Sequence, residues 1–250
     1  TNSVLINVTF ESQSQLEKIR DGAFAYTSIS SFTMPASVTT MGSSVFKDCL
    51  KLVNFTFESD IQLLSIEEGT FAFTDLTTIT IPRTVSSIGK SAFINNYNLV
   101  NIIFEDGGSL ILIDEKAFAR AAIKNITIPA TVTTIGDSAF MECTSLTSVI
   151  FTAGCEDTVT IGNGAFNDTL VASITLPSTA TCISCGMTSV VPLDCNPTSQ
   201  PTAQPTAPTY APTTAIPSIQ PTEQPTFSPS YQPSAVPTET PSAVPTETPS

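Results

Sequence analysis

The residues of this chain that could take part in chemistry are six cysteines, 22 carboxylates and four Asn-x-Thr sites, with no histidine. Histidine is the usual general base near neutral pH and the commonest metal ligand. Cys182 and Cys185 have the spacing of a redox or zinc half-site, but no histidine or second close cysteine pair accompanies them. No serine stands in a nucleophile-elbow motif. The sequence therefore predicts a protein that is not an enzyme and that has no catalytic, cofactor or metal site.

These side chains are carried by a repeat, which is most visible in residue pairs that end in phenylalanine. The phenylalanines are Phe24, Phe46, Phe71, Phe93, Phe118, Phe140 and Phe166. Their spacings are 22, 25, 22, 25, 22 and 26 residues, so a shorter and a longer unit alternate with a true period of 47. Units of this length indicate a solenoid, in which each coil buries its apolar residues against the next coil.

The residues that open each unit alternate between apolar and polar types, as in Thr78-Ile79-Thr80-Ile81. This period of two predicts a short strand whose polar side chains point outward in two rows. The first row is Asn7, Ser31, Asn54, Thr78, Asn101, Asn125, Ser148 and Ser173. The second row is Thr9, Thr33, Thr56, Thr80, Ile103, Thr127, Ile150 and Thr175. Together the rows predict an exposed sheet face almost free of charge.

Turn signals fill the rest of each unit. Pro35, Pro82 and Pro129 follow the predicted strands at a spacing of 47. Proline ends a strand because it has no N–H to donate. A second turn is marked by Gly42, Gly89, Gly136 and Gly162. We expect the residue pair that ends in phenylalanine on a short helical or irregular turn, with the ring filling the core.

The unit from Ile123 to Leu146 resembles the BspA-type leucine-rich repeat, which reads Leu-x-x-Ile-x-Ile-Pro-x-x-Val-x-x-Ile-Gly-x-x-Ala-Phe-x-x-Cys-x-x-Leu. The matching residues are Ile126, Ile128, Pro129, Val132, Ile135, Gly136, Ala139, Phe140, Cys143 and Leu146. The resemblance covers residues 1 to about 178. It implies a β-rich α/β repeat solenoid with one parallel sheet and short helical turns. It also implies a surface protein that binds host or matrix proteins.

Cys49 and Cys143 lie 94 residues apart, which is twice the period, and so belong to one row, four coils from each other. At about 4.8 Å per coil they are roughly 19 Å apart, well beyond the ~7 Å limit for a disulfide. We expect both to be buried free thiols.

The other four cysteines, Cys155, Cys182, Cys185 and Cys195, cluster around the last coil. An open solenoid end must be covered, and a disulfide cap fits a secreted chain. Three pairings are possible. Bonding of Cys155 to Cys182 would join neighbouring coils and leave Cys185 for Cys195.

The four Asn-x-Thr sequons are possible N-glycosylation sites in a secreted protein. They are Asn7, Asn54, Asn125 and Asn167. The first three fall in the outward rows, where the repeat itself accounts for Asn and Thr. Only Asn167, in a predicted turn, is placed independently of that pattern.

Charge is unevenly distributed along the chain. All nine lysines and arginines lie at or before Lys124, and the net charge is −13. A surface this acidic repels phosphate, so we expect no nucleic-acid partner. Glu11, Glu58 and Glu105 recur at a spacing of 47. Neighbouring glutamates in this row are two coils, or roughly 10 Å, apart. We therefore expect their carboxylates to be solvated instead of sharing a bound cation.

The segment after the repeats has a different composition, since fifteen of the 19 prolines follow residue 190. Its Pro/Thr/Ser-rich sequence is typical of a disordered, extended stalk. We therefore predict a solenoid with its cysteine cap over residues 1–186 and a stalk over 187–250, with Cys195 as the alternative end of the cap. No apolar run is long enough to span a membrane. The chain begins without Met or a signal-peptide pattern and ends inside a repeat of Pro-Ser-Ala-Val-Pro-Thr-Glu-Thr, so we expect a fragment of a longer protein.

These features predict a secreted or cell-surface recognition module that binds an extracellular protein or glycan through its repeat surface. The contact residues would be Thr56, Thr80, Ile103, Thr127 and Ile150 of the sheet face, or the loops of the longer units, such as residues 105–110. A purely structural wall or matrix spacer is an alternative. Another is ice binding through the threonine row. The identity of the ligand and the oligomeric state do not follow from the sequence.

Overall fold

The computed structural model describes residues 5–11, 14–152, 158–176, 180–182, 184, 186 and 189–192. Two units divide the chain, Thr1–Pro201 and Thr202–Ser250, and every described residue belongs to the first. The predicted boundary between cap and stalk lies outside the described residues and stays a prediction.

Strands of two lengths alternate along the described chain. The four-residue strands are β2 (Ser31–Met34), β4 (Asn54–Phe57), β6 (Thr78–Ile81), β8 (Asn101–Phe104), β10 (Asn125–Ile128), β12 (Ser148–Phe151), β14 (Ser173–Leu176) and β16 (Ser189–Pro192). The two-residue strands are β1 (Lys18–Ile19), β3 (Thr40–Met41), β5 (Ser65–Ile66), β7 (Ser87–Ile88), β9 (Leu112–Ile113), β11 (Thr134–Ile135), β13 (Thr160–Ile161) and β15 (Thr181–Cys182). The fold is a parallel β-solenoid of leucine-rich-repeat coils, which confirms the predicted fold class.

The two kinds of strand form two separate surfaces. The two-residue strands β5 to β15 pair in one continuous parallel sheet, which we call the narrow face. The four-residue strands form the strand face, where they pair only two by two: β2 with β4, β6 with β8, β10 with β12 and β14 with β16. The expected single sheet is therefore two ladders, and the ladder on the strand face is interrupted after every second coil.

The core is built on a column of phenylalanine rings, one per coil. Neighbouring rings along Phe24, Phe46, Phe71, Phe93, Phe118, Phe140 and Phe166 stack with centroids 5.1 to 5.5 Å apart and planes within 14° of parallel. Phe24 is half-buried and the other six have no exposed surface. We call this column the phenylalanine spine. Its rings contribute both buried apolar area and offset aromatic contacts to stability.

The segments around these rings are turns, and no helix occurs in the described part of the chain. In each coil the residues two before and two after the phenylalanine are left-handed, as at Ser44 (φ 56°) and Asp48 (φ 58°) on either side of Phe46. Left-handed residues at these two places prevent a helix, which needs consecutive right-handed residues. We call the surface made by these segments the turn face.

The turns are joined from coil to coil by their backbone. The N–H groups of Ser44, Phe46 and Asp48 donate to the carbonyls of Glu68, Thr70 and Ala72, at 2.8, 2.8 and 2.9 Å. Equivalent bonds recur in the other coils, always from an N–H to a carbonyl of the following coil. The backbone groups that a helix would pair internally are thus satisfied between coils.

Glycine after the two-residue strand reflects close packing of coils. A Cβ added at Gly136 would lie 2.5 Å from the backbone nitrogen of Glu115 in the preceding coil. Any side chain at this place would push the two coils apart. The glycines predicted to mark a second turn are therefore explained by this approach of the backbone.

Candidate binding surfaces

The two predicted outward rows lie on the strand face, and their side chains are exposed or half-exposed. From β2 to β14, the four-residue strands bury their second residue and expose their first and third to different extents. Ile103 and Ile150, at 50% and 56% exposure, are large apolar residues in a row otherwise made of threonine. The threonines also contact one another, since the hydroxyls of Thr33 and Thr56 are 3.1 Å apart.

A cleft of about 530 Å³ opens on the strand face where no pairing joins β8 to β10. Ile103 lies on its β8 side and Thr127 on its β10 side, and the loop that contains Glu105 and Asp106 forms a rim. Two of the five predicted sheet-face residues, Ile103 and Thr127, thus meet the predicted loop at one place, whereas Thr56 lies away from it on β4. Thr80 and Ile150 are the register partners of Ile103 and Thr127 and lie one strand further out on each side.

The lining of this cleft combines apolar and acidic groups. Ile103, Phe104 and Pro129 contribute apolar surface, whereas Glu105 and Asp106 contribute carboxylates, and no lysine or arginine lines the cleft. A cleft lined by charges of one sign attracts a ligand that carries the opposite charge. The lining of this cleft therefore suits a ligand segment that presents apolar and basic side chains together.

The glutamate row has a structural role that the sequence pattern did not reveal. Glu58 accepts a hydrogen bond from the backbone N–H of Ala36 at 2.9 Å, and Glu105 accepts one from Arg83 N–H at 3.0 Å. Each donor follows the proline of the preceding coil. These carboxylates therefore cap a turn. No group of three or more potential metal ligands occurs among the described residues.

Two charged clusters join coils at the surface. Glu115 accepts hydrogen bonds from Lys116 Nζ at 2.8 Å and Lys90 Nζ at 2.7 Å, and these bonds lower the pKa of its carboxyl to about 2. Arg120 donates to both carboxylate oxygens of Glu142 at 2.9 Å, and this pair lowers the pKa of Glu142. Such exposed pairs add little stability. They do neutralise three of the few cations in the chain.

The two central thiols are placed as predicted. Cys49 and Cys143 are free and fully buried, and each donates to the carbonyl of a phenylalanine in the preceding coil. Burial raises the pKa of Cys49, and it raises the pKa of Cys143 to about 12. The prediction of two buried free thiols is confirmed.

The predicted cap lies mostly outside the described residues. Cys182 is half-buried in β15, and its sulfur is disulfide-bonded. Cys155, Cys185 and Cys195 lie outside the described residues, so the pairing of the four cysteines stays a prediction.

The predicted glycosylation sites are all accessible. Asn54 and Asn125 open β4 and β10, Asn7 precedes the first strand, and all three are exposed. Asn167 is exposed on a turn directly after Phe166. Asn125 also lines the cleft. Occupancy of the four sites stays a prediction.

The turn face has surface features that the repeat pattern did not predict. Tyr26, Phe73 and Tyr97 are exposed there, at 56%, 37% and 62%. A second cleft of about 400 Å³ lies beside Tyr97 and is lined by Arg120 and Glu142. A sequence signal existed, because Tyr26 and Phe73 are 47 residues apart, but it was masked by the larger number of buried phenylalanines.

The stacked coils, the parallel strand ladders and the buried phenylalanine spine define a leucine-rich-repeat solenoid. Among the described residues no helix is long and apolar enough to cross a membrane. The model of the BspA type leucine rich repeat region matches the chain in six copies over residues 1–111 and 64–187. The chain belongs to this family, as its repeat sequence indicated.

Comparison with solved structures finds the same fold in another leucine-rich repeat protein. A leucine-rich repeat protein of T. pallidum is 20% identical, with a TM-score of 0.53, over 66% of this chain and 75% of that chain. The pneumococcal vaccine antigen PcpA is 19% identical, with a TM-score of 0.47, over 75% of this chain and 64% of that chain. A leucine rich cell surface protein from Faecalibacterium prausnitzii is 18% identical, with a TM-score of 0.43, over 77% of this chain and 87% of that chain. Comparison with curated proteins gave no match.

Proposed function

We propose that this chain is a non-enzymatic recognition module of the cell surface or the extracellular space, and that it binds a protein ligand through its strand face. Repeat families of this kind typically have no catalytic activity. The comparisons support the location, because one similar structure is a vaccine antigen and another is a cell surface protein. Those properties belong to the similar proteins and are extended to this chain as part of the proposal.

The observation that carries the proposal is the cleft between β8 and β10. It combines exposed apolar surface at Ile103 with the carboxylates of Glu105 and Asp106, and it lies at the centre of a face almost free of other charge. A ligand segment with apolar and basic side chains would bury Ile103 and meet both carboxylates. Such binding would weaken with salt, because exposed charges are screened.

The experiment is solid-phase binding of the full chain to immobilised extracellular glycoproteins. Replacing Thr80, Ile103 and Thr127 together by lysine puts two positive charges in the cleft and a third on the neighbouring strand, and these charges would repel a basic ligand. We expect the triple variant to lose saturable binding and keep the thermal unfolding midpoint of the wild type. A matched control carries Leu64, Ile111 and Thr133 as lysine, the same charge change at three exposed residues beside the narrow face.

The alternatives give different results in this experiment. A structural spacer would bind none of the glycoproteins saturably. An ice-binding protein would shape growing ice crystals, which is observed in a separate assay, and the triple variant would lose that effect. Full affinity in the triple variant would exclude the strand face. Threonine needs no ligand to explain its presence here, since its branched side chain suits exposed strands.

A further inference from the structure

Three exposed aromatic side chains lie on the turn face within four consecutive coils. Tyr26 and Phe73 occupy the same position of the repeat, two residues after a spine phenylalanine, with φ of 60° and 57°. Tyr97 follows in the next coil, four residues after Phe93. Single exposed aromatics are ordinary, but a group on one face of a repeat protein is typical of an interaction surface.

The spacing of these side chains is fixed by the coils beneath them. Phe24, Phe46 and Phe71 of the spine stack at 5.3 and 5.5 Å per coil. Tyr26 and Phe73, two coils apart, are therefore separated by about 10 Å along the solenoid. A ligand that contacts both side chains must therefore present either similar groups about 10 Å apart or one flat surface of that length.

Hydrogen-bonding side chains are interleaved with the aromatic ones. The hydroxyl of Tyr97 donates to Asn95 Oδ1 at 3.0 Å, which fixes the orientation of the ring. The side-chain amide of Asn98 donates to Asp75 Oδ1. The surface is thus not a continuous apolar patch of the kind that a second protein core would cover. It suits a ligand with apolar faces and many hydroxyl groups.

The cleft beside Tyr97 continues this surface without adding net charge. Arg120 and Glu142 form a two-point pair across its wall, so their charges cancel locally while their outer edges can still hydrogen-bond. Thr144 and Ser145 add hydroxyls to the lining. A neutral, hydroxyl-rich ligand fits this lining better than a strongly charged one.

We propose that the turn face binds an extended, uncharged, β-linked polysaccharide whose sugar rings lie on Tyr26, Phe73 and Tyr97. The C–H groups on a pyranose face carry slight positive charge and pack on the negative face of an aromatic ring. The equatorial hydroxyls then point to the sides, where amide, carboxylate and hydroxyl groups can receive them. In an extended β-linked glycan, one sugar face recurs every second residue, at a distance close to the two-coil spacing. This site is separate from the cleft on the strand face.

The test is titration of the full chain with cellohexaose and with maltohexaose, an α-linked glucan whose chain curves. Isothermal titration calorimetry measures the affinity, because its signal does not depend on the tyrosines that the variants below remove. We expect saturable binding of cellohexaose and none of maltohexaose. The double variant Tyr26→Ala and Tyr97→Ala should bind cellohexaose about tenfold more weakly or worse. Both side chains are more than half exposed, so folding should be retained and is checked by thermal unfolding.

The matched control replaces the other two tyrosines, Tyr210→Ala and Tyr231→Ala, and should bind cellohexaose like the wild type. The triple lysine variant of the strand face should also bind it normally, because the two surfaces are distinct. Absence of saturable cellohexaose binding overturns the proposal. Unchanged affinity in the Tyr26 and Tyr97 double variant overturns it too, as does equal binding of both glucans.

Discussion

Cysteine and asparagine perform the same function at one position of the repeat. Cys49, Asn96 and Cys143 are spaced by 47, and each donates from its side chain to the carbonyl of a phenylalanine 25 residues earlier, at 3.0, 2.8 and 3.1 Å. Asn96 also accepts from the backbone and the hydroxyl of Thr74. The position therefore requires a small side chain that can donate, because a buried carbonyl without a partner is costly.

The burial of the two thiols leads to a prediction about their reactivity. A thiol reacts as its thiolate, and burial raises the pKa of Cys143 to about 12 and raises that of Cys49. The folded, unreduced protein should therefore show almost no reaction with a thiol reagent at neutral pH. After denaturation without a reductant, two thiols should react. Because a raised pKa disfavours the thiolate, the two thiols should stay unreactive even at pH 9 as long as the protein remains folded.

The same measurement tests the cysteine cap. Six reactive thiols after denaturation would contradict the disulfides predicted for Cys155, Cys182, Cys185 and Cys195. Rapid reaction of two thiols in the folded protein would contradict the burial of Cys49 and Cys143.

At the scale of elements, the phenylalanine spine holds neighbouring coils in register. Phe93 lies near its middle, has no exposed surface and stacks on Phe71 and Phe118, both at 5.1 Å. Replacing Phe93 by alanine removes both contacts and leaves a cavity, so the free energy of unfolding should fall by about 3–5 kcal/mol. Denaturant unfolding followed by circular dichroism measures this change. Phe227→Ala, in the Pro/Thr-rich segment, is the control and should have no measurable effect. Equal losses would mean that the repeat register is wrong.

Much of this element structure could be predicted from the sequence. The spine and the four-residue strands follow from two simple periods, because a buried ring must recur once per coil and a half-buried strand alternates its side chains. The two-residue ladder was missed, since a pair such as Ser87-Ile88 is too short to show alternation. The left-handed turns were missed because Ser, Lys and Asp occupy them as well as glycine.

The candidate sites were predictable only in part. Ile103 and Thr127 were recognised as outward residues, but the cleft between them depends on the interrupted pairing of β8 and β10, which no local pattern encodes. The cluster of exposed aromatic side chains on the turn face depends on which phenylalanines and tyrosines remain exposed. That is a property of the packed coils.

At the scale of the whole molecule, charge and composition change at two different places in the chain. Beyond Lys124 there is no basic residue, and beyond residue 190 proline and threonine dominate. Each repeat coil contacts only its neighbours. The stability of the solenoid should therefore be distributed over all its coils, and it should not extend beyond the last coil.

This division can be tested by limited proteolysis of the full chain. Backbone groups bonded between coils are protected from cleavage, whereas a Pro/Thr-rich stalk has no such protection. We expect a resistant fragment that ends near residues 186–197, identified by mass spectrometry of the digest. A resistant fragment that retained residues 210–250 would contradict the predicted boundary.

The backbone bonds of the turn face all point in one direction along the solenoid. There the N–H groups at Ser44, Phe46 and Asp48, and at the equivalent residues of other coils, donate toward the C-terminal end, and the carbonyls that accept them face the N-terminal end. Peptide dipoles aligned in this way add from coil to coil, as they do in an α-helix. On the other two faces the inter-coil bonds outside the strand ladders run the opposite way, as when Gly136 N–H donates to the carbonyl of Ile113 and Glu105 N–H to that of Ile81. The two sides of each coil are thereby polarised in opposite senses, independently of any ionised side chain and of the number of repeats.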